Sequence, residues 1–166
     1  MTSEMKANLL RELDKLHKRH ELSKTVGLDY FEPGLMEYLD KSDGSFDSVT
    51  GKIELFFEAR GTRYEGRTER IEKVKIGDVI KVTRDAQNPY NPNNFRLLTS
   101  RDRDVGNMPA ELCNAIAPLF DECALIFTGA CVSYVEPLSK RNRHAKQAVL
   151  FVHLSCLLKP CADYTI

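Results

Sequence analysis

The sequence predicts a mainly β (α+β) fold: a small, partly open β-barrel with one inserted helix, preceded by an α-helical N-terminal segment. Three observations lead there. Helical periodicity is concentrated in the first forty or so residues. From Ile53 onward the apolar residues fall in short, β-branched or alternating runs. Between those runs a single proline-initiated apolar helix is legible, from Pro109 to Asp121. The boundary is placed near residue 48, giving a helical segment and linker over 1–48 and a β domain over 49–166.

Taken in order, Ser3 to Lys24 reads as a helix. Met5, Leu9, Leu13 and Leu16 recur at three- and four-residue spacing, Ser3 is available as a cap, and Gly27 punctuates the end. A second short helix is predicted over Gly34–Asp40, with Pro33 as its starter and Leu35, Met36 and Leu39 on its apolar side. Lys41 to Gly51, rich in Ser, Asp and Gly, reads as a linker. Strands are predicted at Ile53–Ala59, Gly77–Arg84 and Phe95–Thr99, with a brief extended piece at Val105-Gly106. The helix from Pro109 sets Leu112, Ile116, Leu119 and Phe120 on one side, and Pro118 should shorten or kink it. Two longer strands follow, Ala124–Val135 and Gln147–Leu158, joined by the turn-like stretch Glu136–Lys146.

Composition narrows the function classes. An apolar fraction of 42% can build a core, and no run of about 18 uncharged apolar residues exists to span a membrane. Met1 to Leu10 lacks the basic-then-apolar layout of a signal peptide, so a cytoplasmic location is expected, or a nuclear one in a eukaryote. The five cysteines are odd in number and scattered, which fits a reducing compartment and buried free thiols rather than disulfides. Cys156 and Cys161 could form half a zinc site, but no second tight Cys/His pair follows, so neither metal nor cofactor is expected. The formal charge is zero, yet residues 1–50 carry seven Lys/Arg against ten Asp/Glu, and residues 51–158 sixteen against thirteen. The mild basic excess of the second part permits phosphate contacts without demanding them. P-loop, nucleophile-elbow, HExxH and CxxC signatures are all absent, and the acid pairs Asp102/Asp104 and Asp121/Glu122 have no nearby His, so no enzyme activity is expected.

Two segments stand out. In Arg84 to Phe95, two prolines and four asparagines force a tight, hydrogen-bonding loop between strands. Tyr90 sits inside it, stiffened by Pro89 and by the Asn91-Pro92 bond. Either Tyr90 packs on the barrel and the loop is purely structural, or the ring is presented for stacking on a base while Asn88 and Asn91 bond phosphate or hydroxyl oxygens. The second segment, Ala59 to Arg67, brackets Arg63 and Tyr64 between Gly61 and Gly66, pairing a forked phosphate donor with a flat ring. Arg and Tyr also commonly decorate turns.

Read in order, Gly61 to Gly66, Gly77-Asp78, Arg84-Asp85, Asn88-Pro89-Tyr90 and Val105-Gly106-Asn107-Met108-Pro109 resemble the HIRAN domain family over about residues 53–158. The resemblance implies a modified OB-like barrel that binds the free 3′ end of single-stranded DNA without catalysis, in repair or replication-fork processing. A helicase or nuclease partner would then be natural. By position, Arg63 and Tyr64 inherit one side of the terminal-nucleotide pocket, and Asn88, Tyr90 and Asn91 the other. Departures are visible. Asn91 stands where the family has an aspartate, which relaxes the preference for a 3′-hydroxyl over a 3′-phosphate because charge repulsion disappears. Asn107 and Ala110 replace residues that are often basic or imidazole-bearing, which weakens phosphate contacts.

The turn at 140–146 carries Lys140, Arg141, Arg143 and Lys146 and no acid. It either tracks the DNA backbone or is a solvated hairpin tip. His153, in an apolar strand, reads as a satisfied core histidine, and His17 and His20 as part of a solvated helix face. The competing function is a protein-interaction or adaptor module that docks through its amphipathic N-terminal helix and has no nucleic-acid ligand.

Overall fold

The computed structural model describes residues 1–19 and 28–159, with side chains considered over 1–15 and 34–159. The readings of Leu16, His17, His20, Gly27, Pro33's side chain and Cys161 lie outside these residues. Helix α1 spans Ser3–Arg19. It is Thr2, rather than Ser3, that caps it: the Thr2 Oγ1 accepts from the Met5 amide at 3.1 Å, placing Ser3 already inside the first turn. Helix α2 runs Leu28–Lys41, starting well ahead of Pro33. Apolar spacing in the sequence extends back through Phe31 to Leu28, so the helical repeat outweighs the one hydrogen bond a proline removes.

The stretch read as a linker holds strand β1, Ser45–Phe46, which pairs antiparallel with β2, Lys52–Glu58. Ile53, Leu55 and Phe57 of β2 point into the core, as strict alternation requires. After β2 comes α3, Arg67–Ile71, a short helix that adds to the single inserted helix the sequence predicts for the β domain. It was illegible because two of its three buried residues, Arg67 and Thr68, are polar and leave no apolar period. Strands β3 (Ile80–Arg84), β4 (Phe95–Thr99) and β5 (Asp104–Asn107) form an antiparallel meander. Helix α4, Ala110–Asp121, buries Leu112, Ile116 and Leu119 and continues three residues past Pro118. Strands β6 (Leu125–Glu136) and β7 (Val149–Leu158) follow, the latter burying Leu150, Val152, Leu154, Cys156 and Leu158 in alternation.

The strands form two sheets, one in the order β1-β2-β7-β6 and one in the order β3-β4-β5. Register shifts beside Thr128 and Ser133 bend the twelve-residue β6, and an isolated bridge joins its Cys131 to Val79 at the foot of β3. A second bridge joins Arg60 to Asn107. Among the described residues the sheets are joined by these bridges and do not close into a continuous barrel. The core between them includes the mutually packed rings of Phe95, Phe120 and Phe127, with centroids 4.8–5.4 Å apart. Leu9 and Leu13 of α1 and Leu35 and Leu39 of α2 belong to the same buried cluster.

His153 is satisfied but not in the core. Its Nε2 lies 2.6 Å from Glu54 Oε2, its ring stacks on Phe56 at 4.4 Å, and its side chain is 32% exposed on the outer sheet face. The alternation that buries Val152 and Leu154 turns residue 153 outward. Cys113 and Cys156 are buried free thiols, whereas Cys123 is exposed and Cys131 half-buried; burial pushes the Cys113 thiol up to about 12. No helix among the described residues is long and apolar enough to cross a membrane.

Candidate nucleic-acid interface

The loop 85–94 is held by its own side chains. Asn88 Oδ1 accepts from the amides of Tyr90 and Asn91 at 2.9 and 3.0 Å, and Asn91 Oδ1 accepts from the Asn93 amide at 3.0 Å. Arg84 pins the loop from below: its guanidinium donates to the Pro92 and Asn94 carbonyls and forms a two-pronged pair with Asp121 of α4, both prongs 3.0 Å. Asn91 and Asn93 each donate to Asn114 Oδ1 on α4. With the backbone so fixed, Tyr90 is left 95% exposed, so its ring does not pack on the strands.

The loop 61–66 is a pair of consecutive turns, with the Tyr64 amide bonded to the Gly61 carbonyl and the Arg67 amide to the Tyr64 carbonyl. Tyr64 is 61% exposed, and the Arg63 guanidinium lies 5.9 Å from its ring centroid. Beneath them Arg67 is almost wholly buried. It grips both Asp104 oxygens at 3.1 and 3.0 Å and donates to the Gly61 carbonyl at 3.0 Å. Gly61 sits at φ +71, and a Cβ there would stand 2.9 Å from Arg67 Nη1, so glycine is required both by the turn and by the arginine below it.

A chain of polar contacts links the two loops. Asp85 Oδ2 accepts from Asn88, Asn94 and Arg96 at 3.0–3.2 Å. Burial pushes its carboxyl up, but the hydrogen bonds from Asn94 and Asn88 and the charge of Arg96 outweigh it, holding the group below the usual aspartate range. Arg96 also approaches Asp104, the partner of Arg67, at 3.9 Å. Asn94 donates to Asn107 Oδ1 at 3.1 Å, and Asn107 exchanges backbone hydrogen bonds with Arg60, next to Gly61. Gly106, at φ +144, allows this approach: a Cβ there would meet the Arg60 carbonyl at 2.9 Å.

The basic turn is tied to the same region. Ser139 donates to Glu72, just past α3, through its hydroxyl at 2.5 Å and its amide at 3.2 Å, and buried Thr62 Oγ1 donates to the Ala148 carbonyl at 2.9 Å. Within the turn Arg141 is spent on structure, donating to the Gln147 carbonyl at 2.7 Å and lying 3.6 Å from Glu136. Lys140 and Arg143 are exposed. Among the described residues no three His, Cys, Asp or Glu groups gather to hold a metal.

Of the predicted site residues, Arg63, Tyr64, Tyr90, Lys140 and Arg143 offer exposed side chains, whereas Asn88, Asn91, Asn107 and Arg141 engage in internal bonds. Sequence reasoning missed Arg67, Asp104, Asn94 and Arg96, the groups that hold the loops. Only Arg67, directly after Gly66, gave a local hint.

The HIRAN domain model matches residues 52–152, a span that runs from β2 into β7 and contains both loops. The chain belongs to the HIRAN domain family. Among solved structures, the crystal structure of a Lactobacillus plantarum protein is 16% identical, covering 66% of this chain and all of that one, with a TM-score of 0.50. The crystal structure of the HIRAN domain of human HLTF is 18% identical, over 69% of this chain and 86% of that one, with a TM-score of 0.48. The NMR structure of the HLTF HIRAN domain in its DNA-bound conformation is 21% identical, over 64% and 75%, with a TM-score of 0.43. At such identities the likeness bears on the fold alone. No curated protein matches.

Proposed function

We propose that this HIRAN domain is a non-catalytic module that binds single-stranded DNA at a free 3′ end, with the loops 61–66 and 85–94 forming the two sides of the pocket. The observation that carries the reading is the pair of tyrosines, Tyr64 and Tyr90, held outward on loops that are locked to each other through Asp85, Arg96, Asp104 and Arg67. Exposed rings on a rigid frame suit base stacking, worth about 1–3 kcal/mol per base. Arg63 supplies the phosphate partner, and Lys140 and Arg143 extend the positive surface. Family membership supports DNA as the ligand, since the HIRAN domain of HLTF has a described DNA-bound conformation. Such a module would serve a helicase or nuclease in repair or fork processing.

Asn91 sets the end preference in this reading. Its amide bridges Asn93 and Asn114 and carries no charge, so a terminal 3′-phosphate meets no repulsion there. The competing adaptor reading loses its main feature, because Leu9 and Leu13 of the amphipathic N-terminal helix are already buried within the chain. Fluorescence anisotropy with oligonucleotides ending in a 3′-hydroxyl, a 3′-phosphate or a closed hairpin tests the proposal. Binding should require an open end, tolerate the phosphate, and collapse in Tyr90→Ala and Arg63→Ala. Equal binding of the closed hairpin would sink end recognition, and flat curves throughout would sink the nucleic-acid reading.

A further inference from the structure

A cleft of about 570 Å³ lies between α3 with the turn after it and the turn joining β4 to β5; Arg70, Lys73, Arg101 and Arg103 line it together with Glu69 and Asp78. A second cleft, of about 410 Å³, shares Arg70 and Arg103 with the first and reaches Glu65. The two therefore make one trough that begins at the Arg63–Tyr64 loop. Arg70 marks the junction: its Nη1 donates to the Asp104 carbonyl at 2.8 Å, and its Nη2 would lie 3.6 Å from a Cβ at Gly66.

The charges in this trough are unevenly committed. Glu65 pairs with Arg67 at 3.1 Å, Asp104 with Arg67 at 3.0 Å, and Asp102 with Lys81 at 2.8 Å. Asp78 accepts the Lys75 amide at 2.9 Å. The exposed Lys73, Arg101 and Arg103 side chains, by contrast, make no ion pair or hydrogen bond among the described residues. Thr99 bonds the Arg101 and Arg103 amides, so the β4–β5 turn is fixed without help from either guanidinium. Three uncommitted cations spread over two walls of an open trough, against one uncommitted carboxylate, Glu69, suit a ligand with successive single negative charges. A phosphodiester chain fits that description better than one compact multivalent anion.

We propose that the trough is a second nucleic-acid contact of this domain, holding backbone phosphates of the strand segment that leads away from the Arg63–Tyr64 loop. The inference rests on the nucleic-acid reading above and extends its footprint past the terminal nucleotides. Its consequence is length dependence: a strand of about fifteen nucleotides should bind more tightly than one of about five, within the range of roughly 4–16 nucleotides that small barrel domains occupy.

The test uses the full chain, the two strand lengths, and the variants Arg101→Ala/Arg103→Ala and Tyr90→Ala. The double variant should lose the affinity gained with length and leave the short strand unaffected. Its log–log salt slope on the long strand should fall by roughly 0.7 for each phosphate contact removed. Tyr90→Ala should weaken both lengths. An unchanged length gain and salt slope in the double variant would overturn the trough while leaving the tyrosine pocket standing. Loss of long-strand binding in the double variant, with Tyr90→Ala silent, would uphold the trough and overturn the pocket. No binding of either strand by the wild type would overturn both. Inorganic phosphate at matched ionic strength should leave the length gain intact; its abolition would mark a free-phosphate site and refute the polynucleotide assignment.

Discussion

Replacing Arg67 by methionine should cost the domain about 3.5–4.5 kcal/mol and loosen the Arg63–Tyr64 loop at the same time. The Arg67 side chain is 6% exposed and makes two charge-assisted bonds to Asp104 together with one to the Gly61 carbonyl. Removing one partner of a buried ion pair typically costs about 3–5 kcal/mol, because the other charge stays behind uncompensated. Asp104 is 17% exposed and keeps the Gly106 amide at 3.0 Å and Arg96 at 3.9 Å, so the ionic part belongs at the low end of that range. The Gly61 carbonyl keeps the Tyr64 amide at 3.2 Å, so the lost guanidinium bond adds only about 0.5–1.5 kcal/mol. Arg67→Lys keeps the charge but not the fork, and should fall between wild type and Arg67→Met. Urea denaturation followed by circular dichroism reads the stability, and oligonucleotide anisotropy at low urea reads the loop. A loss below about 1 kcal/mol, within reach of a surface pair, would refute the claim that this buried contact holds the loop.

Tyr90→Ala should leave the urea midpoint unchanged, since the ring buries almost nothing, while weakening oligonucleotide binding by about 1–3 kcal/mol. A drop in midpoint would mean the ring packs in solution. Asp85 has a depressed folded-state pKa, so its stabilising contribution is complete above the ordinary aspartate value and lost as pH falls through that value toward the folded one. The stability gap between wild type and Asp85→Asn should therefore be flat near neutrality and shrink below about pH 4, where a constant gap would contradict the charge network. Leu13→Ala should cost about 2–5 kcal/mol with one cooperative transition, because α1 shares the core of the β-sheets; a separate early transition would show that residues 1–48 melt alone.

The sequence made the strands legible wherever one face is buried. Phe95–Thr99 matches β4 residue for residue, and Gln147–Leu158 covers β7, although the apolar Val149, Phe151 and Leu157 hid the alternation that turns His153 outward. Helix α4 was equally plain from its apolar spacing and Pro109. What stayed hidden was held by polar contacts distant in sequence. Helix α3 buries an arginine whose partner is 37 residues away, and β1 pairs through two residues inside a Ser- and Gly-rich stretch. The two loops were conspicuous from their Asn, Pro, Gly and Tyr content, yet which amides would be consumed internally was not. Only the fold shows Asn88 and Asn91 spent on their own turn, with Asp85, Arg96, Asp104 and Arg67 linking one loop to the other.

The most direct measurement of a shared pocket is an amide chemical-shift titration of the full chain with a short 3′-hydroxyl oligonucleotide. A common pocket predicts that Gly61–Gly66, Asn88–Asn94 and Asn107 shift together with one apparent affinity. Shifts confined to the N-terminal helices, or two loops saturating at different concentrations, would contradict it.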